Sequence, residues 1–232
     1  MRKIDILLFI IAALSIFSSC TKKGDAPSVA DNILNYTINE IPVTTDYTVG
    51  AFYYNFTTFN TSTVQVPTVG KYRMVNGVVP SVVMTNHIQQ AKRGGIDYFL
   101  FPFRSVSRDL INFRTDSSTV KSFLYVNTDN LKFALAYNFL NTTFAISTTD
   151  PLENNAVKLE QFFQDIIKMV PQMKNANYLK VNGKALLYIM NAHLLFSNDN
   201  IKIYTTLRSR LSALGIELYI VGMQERWSPP AR

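Results

Sequence analysis

Between Tyr47 and Gly222 short, continuous apolar runs alternate with amphipathic helical patterns, and no other feature restricts the fold of this chain so tightly. The runs are Tyr47–Phe56, Ile96–Phe103, Leu131–Asn138, Lys184–Met190 and Ile216–Gly222. They lack the polar alternation of a half-solvated strand, so each reads as buried on both faces, as in a parallel sheet covered by helices. Ser81 after Pro80 opens a helix with Met84, Ile88 and Ala91 on one stripe, and Gly94-Gly95 ends it behind Lys92 and Arg93. Asp116 reads as the cap of a second helix running to Asn127. Asp150-Pro151-Leu152-Glu153 reads as a third start, with a cap, a proline at the first helical position and a glutamate three residues after the cap. Its stripe is Leu152, Ala156, Leu159, Phe163, Ile166 and Val170. Tyr178–Val181, then Asn182-Gly183, then the Lys184 run form a hairpin signal. Asp199 or Asn200 opens the last helix, with Tyr204, Leu207, Leu211 and Leu214 inward and Gly215 behind.

About five such units imply parallel strands joined by right-handed crossovers. The candidates are a doubly wound sheet and a (β/α)8 barrel. A dinucleotide-binding sheet carries a glycine-rich turn after its first strand, yet Tyr53-Tyr54-Asn55-Phe56 stands there. No phosphate-cradling loop occurs either. Aromatic and amide residues at the strand ends fit the mouth of a barrel better. The expected fold is therefore α/β, a TIM-barrel-like array over 47–232. That stretch is shorter than the roughly 250 residues of a full barrel, so the sheet as read is incomplete and cannot close.

Composition removes several function classes. Lys and Arg number 23 against 16 Asp and Glu, a net charge of +7, but the cations are scattered. A nucleic-acid surface concentrates them on one face, so no nucleic-acid partner is expected. One cysteine excludes an internal disulfide framework and a cysteine-ligated cluster, and two histidines argue against a histidine metal site. Neither metal nor cofactor is expected.

The lone cysteine has a different context. Arg2 and Lys3 precede the apolar run Ile6–Phe17, and Ser18-Ser19-Cys20 follows. The run is too short to cross a bilayer, which takes roughly 20 apolar residues. A charged start, a short apolar stretch and small residues describe a secretory leader. The arrangement resembles a bacterial lipoprotein signal, with Phe17 where that pattern usually has leucine. The resemblance implies that 1–19 are removed and that Cys20 is acylated as the first mature residue. Residues 20–46 then form a polar tether to a membrane of the cell envelope, on its periplasmic or surface face. The competing reading is a buried N-terminal helix with an incidental thiol.

The strand ends supply the candidate binding residues: Tyr53, Tyr54, Asn55, Arg104, Asn138, Asn191, His193, Glu225 and Trp227, with Phe103, Tyr137 and Gln224 beside them. Aromatic faces stack on sugar rings while amides and arginine bond hydroxyls, so the mixture suits a carbohydrate cleft. For any single Tyr or Phe the alternative is packing within the barrel. Among the acids only Glu225 falls just past the carboxyl end of an expected strand. Glycoside hydrolysis generally takes two carboxylates, so no catalytic pair is identified. His87 falls on a helix, and neither histidine has a spaced acid or cysteine for a triad.

Three segments carry a resemblance. Gly50-Ala51-Phe52-Tyr53-Tyr54, then Ala91-Lys92-Arg93-Gly94-Gly95-Ile96-Asp97, then Asn177 to Ile189 with its Asn182-Gly183 turn occur in the order and spacing of glycoside hydrolase families 99 and 71. Tyr219-Ile220-Val221-Gly222 fits the end of their fifth strand. The resemblance implies a barrel acting on α-linked oligo- or polysaccharides, in the manner of an endo-α-mannosidase or an α-1,3-glucanase. The chain departs from it in two places. Asn55-Phe56-Thr57 stands where family members continue with a Pro-Trp-Tyr type segment, and no Glu-x-x-Glu motif follows the fifth strand. Two readings stay open: a membrane-anchored, glycoside-hydrolase-like barrel inactive as this chain, and a non-catalytic glycan-binding or envelope lipoprotein.

Overall fold

The apolar runs become a six-stranded sheet in a computed structural model that describes residues 48–54 and 77–223. All of these fall in the compact unit beginning at Tyr47. The leader, Cys20, the tether, Asn55, Gln224, Glu225 and Trp227 lie outside the described residues.

The strands are β1 (Gly50–Phe52), β2 (Tyr98–Arg104), β3 (Lys132–Asn138), β4 (Lys180–Val181), β5 (Lys184–Ile189) and β6 (Leu218–Gly222). They lie in the order β1-β2-β3-β5-β4, with β6 also paired to β5. β1–β2, β2–β3, β3–β5 and β5–β6 are parallel, while β4 runs antiparallel to β5 and makes the sheet mixed. The β4–β5 turn takes Asn182 and Gly183 to φ 51° and 78°, the double left-handed geometry for which Asn-Gly is selected. Among the described residues the sheet is open, with β1 and β6 as parallel edges.

Four helices of twelve or more residues cover the strands, α1 (Ser81–Arg93), α2 (Leu110–Tyr125), α3 (Ala156–Ile167) and α4 (Asn200–Ser212), beside the four-residue helices Asn141–Phe144 and Val170–Met173. Two starts differ from expectation. Helix α2 begins at Asp109, whose carboxylate accepts the Asn112 amide, and Asp116 lies buried inside the helix. Asp116 reads locally as a cap, but its partner is an arginine on β2. Likewise Asp150-Pro151 leads only into a single 3₁₀ turn, Leu152–Asn154, and α3 starts behind Asn155, whose side chain accepts the amides of Val157 and Lys158. Ala156 and Leu214 are exposed, and the buried stripes run through Phe162, Phe163 and Ile166 and through Ile203, Leu207 and Leu211.

Strand alternation divides the sheet into two faces. Ala51, Phe99, Phe101, Phe103, Phe133, Leu135, Tyr137, Leu187 and Ile189 share one face through their register. Phe123 of α2 packs there, its ring 6.0, 5.5 and 5.7 Å from those of Phe99, Phe101 and Phe133. The opposite face carries Gly50, Phe52, Tyr98, Leu100, Arg104, Ala134, Ala136, Asn138, Tyr188 and Tyr219. The Tyr98 ring lies over Gly50, where a Cβ would stand 2.1 Å from its Cζ. The Tyr98 hydroxyl also meets that of Tyr188, 2.8 Å away, on a strand two places further along the sheet. Strands lie about 4.8 Å apart, so a flat sheet would hold these side chains parallel and separated. The contact curls this face inward, and the alanines at 134 and 136 leave the tyrosines room.

A side chain joins the β3–β5 ladder where Leu135 pairs with Leu187: the Tyr178 hydroxyl accepts from the Leu135 amide at 3.2 Å and donates to the Leu186 carbonyl at 2.7 Å.

Candidate functional site

Parallel order places the C-terminal ends of β1, β2, β3, β5 and β6 along one end of the sheet, where ligand sites of α/β folds are built. What stands there follows from where each ladder stops. Tyr53 donates to the Leu100 carbonyl, so Leu100, Pro102 and Arg104 turn their backbones toward β1. Pro102 has no N–H to offer, and the β1–β2 ladder ends. The Arg104 amide donates instead to Asp116 Oδ2 at 2.9 Å, so a carboxylate from α2 caps the exposed edge of β2. Arg104 closes a fork on the same group through Nε (2.8 Å) and one Nη (2.6 Å). Burial pushes the Asp116 carboxyl up while this fork pulls it down, and the fork holds the Arg104 guanidinium above its usual range.

Beside this fork, Tyr54 is half exposed and stacks on Phe52, with centroids 5.5 Å apart and planes 20° from parallel. Both belong to the inward-curled face. Asn138 pairs in register with Arg104 and accepts the Leu140 amide through its side-chain oxygen. Asn191 follows β5 in the left-handed region at φ 52° and turns the chain into Ala192–Leu194, leaving His193 exposed. The strand ends therefore carry Tyr54, Arg104, Asn138, Asn191 and His193, and Phe52 joins them through its stack on Tyr54. Alternation was the signal for it, because Phe52 and Tyr54 are two apart in one apolar run.

Three candidates are elsewhere. Tyr53, Phe103 and Tyr137 point to the helical side and are buried. Tyr53 packs against Phe99 and Phe101, and its hydroxyl lies 2.9 Å from His87 Nδ1 on α1. Burial pushes the Tyr53 phenol up and the His87 imidazole down, which keeps both neutral. His87 is thus an interlayer partner of the tyrosine.

Tyr137 belongs to a buried polar cluster that the sequence did not announce. Arg108 Nη2 donates to Asp165 Oδ2 at 2.6 Å and to the Tyr137 hydroxyl at 2.9 Å, and that hydroxyl donates to the same Asp165 oxygen at 2.8 Å. Ser107 bonds the other Asp165 oxygen through its hydroxyl at 3.2 Å. Arg108 also donates to the Phe139 carbonyl and lies 3.8 Å over the Phe144 ring. Burial beside the Asp165 charge drives the Tyr137 phenol well above its ordinary range. The cluster fastens the loop after β2 to α3 and to the end of β3.

The described acids of these loops and of the helices beside them all have partners. Asp109 and Asp199 cap helices, Asp116 and Asp165 hold arginines, and Asp150 meets Lys158 at 3.3 Å. Glu153 accepts the Ser197 hydroxyl and the amides of Asn198 and Asp199. Burial raises its carboxyl, and these donors outweigh burial and hold it below the usual carboxylate range. No group of three or more His, Cys, Asp or Glu among the described residues is placed to hold a metal ion.

No protein-family model and no curated protein sequence matches this chain. Among solved structures, a glycoside hydrolase-like protein superposes on it with a TM-score of 0.69 over 86% of its length, at 29% identity. The chain spans 58% of the length of that structure. The likeness supports a glycoside hydrolase-like α/β fold, and it is a likeness to part of a longer protein.

Proposed function

We propose that this chain is part of a barrel of the glycoside hydrolase family 99/71 kind, and that it holds an α-linked glycan at the strand C-terminal ends without cleaving it. The observation that carries the reading is the stacked, exposed pair of Phe52 and Tyr54 on the curled face of a glycoside hydrolase-like fold. Planar rings on an open concave face take the apolar face of a sugar, and Arg104, Asn138 and Asn191 at the same strand ends carry the kinds of group that bond hydroxyls. The inward curl at Tyr98 and Tyr188 favours a barrel wall over a flat doubly wound sheet. Turnover is left out because acid catalysis and attack at the anomeric carbon each take a carboxylate, and the described acids at this end are all engaged. The test is titration calorimetry with α-mannan and α-1,3-glucan oligosaccharides, beside a turnover assay. Phe52→Ala and Tyr54→Ala should each weaken binding by about three- to tenfold, the worth of an aromatic contact. Unchanged affinity in the double variant would sink the reading, and hydrolysis abolished by Glu225→Gln would make that acid catalytic.

The proposal includes the anchor: Cys20 carries lipid and holds the protein on a membrane of the bacterial envelope. Its support is the run of Arg2, Lys3, Ile6–Phe17 and Ser18-Ser19-Cys20. A fatty-acid analogue should label the wild type and leave Cys20→Ser unlabelled, and equal labelling of the two overturns it.

A further inference from the structure

Asn138 and Arg104 end β3 and β2, pair in register and set out from the same face of the sheet. The Asn138 side-chain oxygen accepts the Leu140 amide at 3.0 Å. A backbone N–H can meet only the oxygen end of a carboxamide, so this bond fixes the flip and leaves Nδ2 as the unengaged end. Arg104 uses Nε and one Nη on Asp116, at 2.8 and 2.6 Å, and its other Nη lies across the guanidinium from that edge. Among the described residues neither this Nη nor Asn138 Nδ2 has a partner. Both side chains are partly exposed, that of Arg104 by 27%. The two strand ends therefore offer a ligand N–H donors. They offer it no surplus charge. Asp116 sits in the arginine fork, and the Asp109 carboxylate acts on the same guanidinium. Two carboxylates against one cation leave little to draw in an anion.

We propose that Arg104 and Asn138 take the carbonyl oxygen of an N-acetyl group, so that the glycan at the strand ends carries an N-acetylated sugar. The inference rests on the glycan reading and names the kind of sugar it takes. An amide carbonyl is neutral, brings two lone pairs and has no hydrogen of its own. A sugar hydroxyl accepts as well, but its own proton then needs an acceptor, and the Asn138 oxygen is already turned to Leu140. A uronate carboxylate or a sulfate would stand beside Asp116 and Asp109 with the Arg104 charge already matched. The donor on β3 is also held in place. Leu140 is left-handed at φ 53°, and the amides of Thr143 and Phe144 donate to its carbonyl, so the turn that orients Asn138 is fixed before a ligand arrives.

Ligand-observed NMR titration of the 232-residue chain compares methyl α-glucoside with methyl N-acetyl-α-glucosaminide and methyl α-glucuronide, each differing from the first in one substituent, with the manno counterparts beside them. The N-acetylated sugar should bind about three- to tenfold tighter than its parent, the worth of one added hydrogen bond, and the uronate no tighter than the parent. Asn138→Asp keeps an oxygen for the Leu140 amide and puts an acceptor where Nδ2 stood, so the preference should vanish while circular dichroism stays that of the wild type. Asn138→Ala removes the donor without adding a charge and should abolish the preference too, which separates lost donation from repulsion. Parent sugars that bind while the N-acetylated ones bind no tighter overturn the inference and leave the glycan reading standing. A preference that survives both variants, or a uronate that binds tightest, overturns it as well. If none of the sugars binds, the glycan reading falls and this inference falls with it.

Discussion

Replacing Asp165 with alanine is expected to cost about 3–5 kcal/mol of folding stability, the range for removing one member of a buried ion pair. The Arg108 side chain is 7% exposed and that of Asp165 1%, so neither charge has water to fall back on. Without the carboxylate, Arg108 keeps the Phe139 carbonyl and the Phe144 ring, but its charge is uncompensated in a low-dielectric site. The Tyr137 hydroxyl loses its acceptor in the same step. Typical domains have only 5–15 kcal/mol in total, so the loss is a large fraction of the whole. Urea unfolding measures it. The double variant Arg108→Met with Asp165→Leu should recover part of the loss, since an apolar pair replaces a costly one. A loss below about 1 kcal/mol in Asp165→Ala would show that the cluster is not holding the fold together.

That cluster also marks the limit of what the sequence discloses. Strand positions and their parallel order are legible because unbroken apolar runs such as Tyr98–Phe103 have only one common environment, a sheet covered on both faces. The same lack of alternation hides which residues face which side. Tyr53 and Tyr54 look equivalent as letters, yet register puts Tyr53 beneath α1 and leaves Tyr54 open. Helix ends are legible where the signal is local, as at Asp199 and at the glycines after α1 and α4. They mislead where a long-range partner intervenes, as when Arg104 claims Asp116. Arg108 and Asp165 are far apart in the chain and in no motif, so only the assembled layers could join them.

Tyr178→Phe should cost about 1–3 kcal/mol, although it removes a single oxygen. The hydroxyl accepts from the Leu135 amide and donates to the Leu186 carbonyl, tying the backbones of β3 and β5 where Leu135 and Leu187 pair in register. Phenylalanine keeps the ring contact with Phe133 at 5.0 Å but removes both of these buried hydrogen bonds. Each is worth about 0.5–1.5 kcal/mol. Two readouts are available: the urea midpoint, and the exchange of the Leu135 amide with deuterium, which should accelerate in step with the stability loss. A shift under about 0.5 kcal/mol would mean that the ladder holds β3 and β5 together without the hydroxyl.

The tyrosine pair on the curled face has a consequence for traffic. With the Tyr98 ring pressed onto Gly50 and its hydroxyl tied to Tyr188, a phenolic floor crosses this face between the strand starts and the Phe52–Tyr54 platform. Toward the strand starts the platform therefore ends at phenol, and anything moving along this face past Gly50 needs the Tyr98 ring to leave it first.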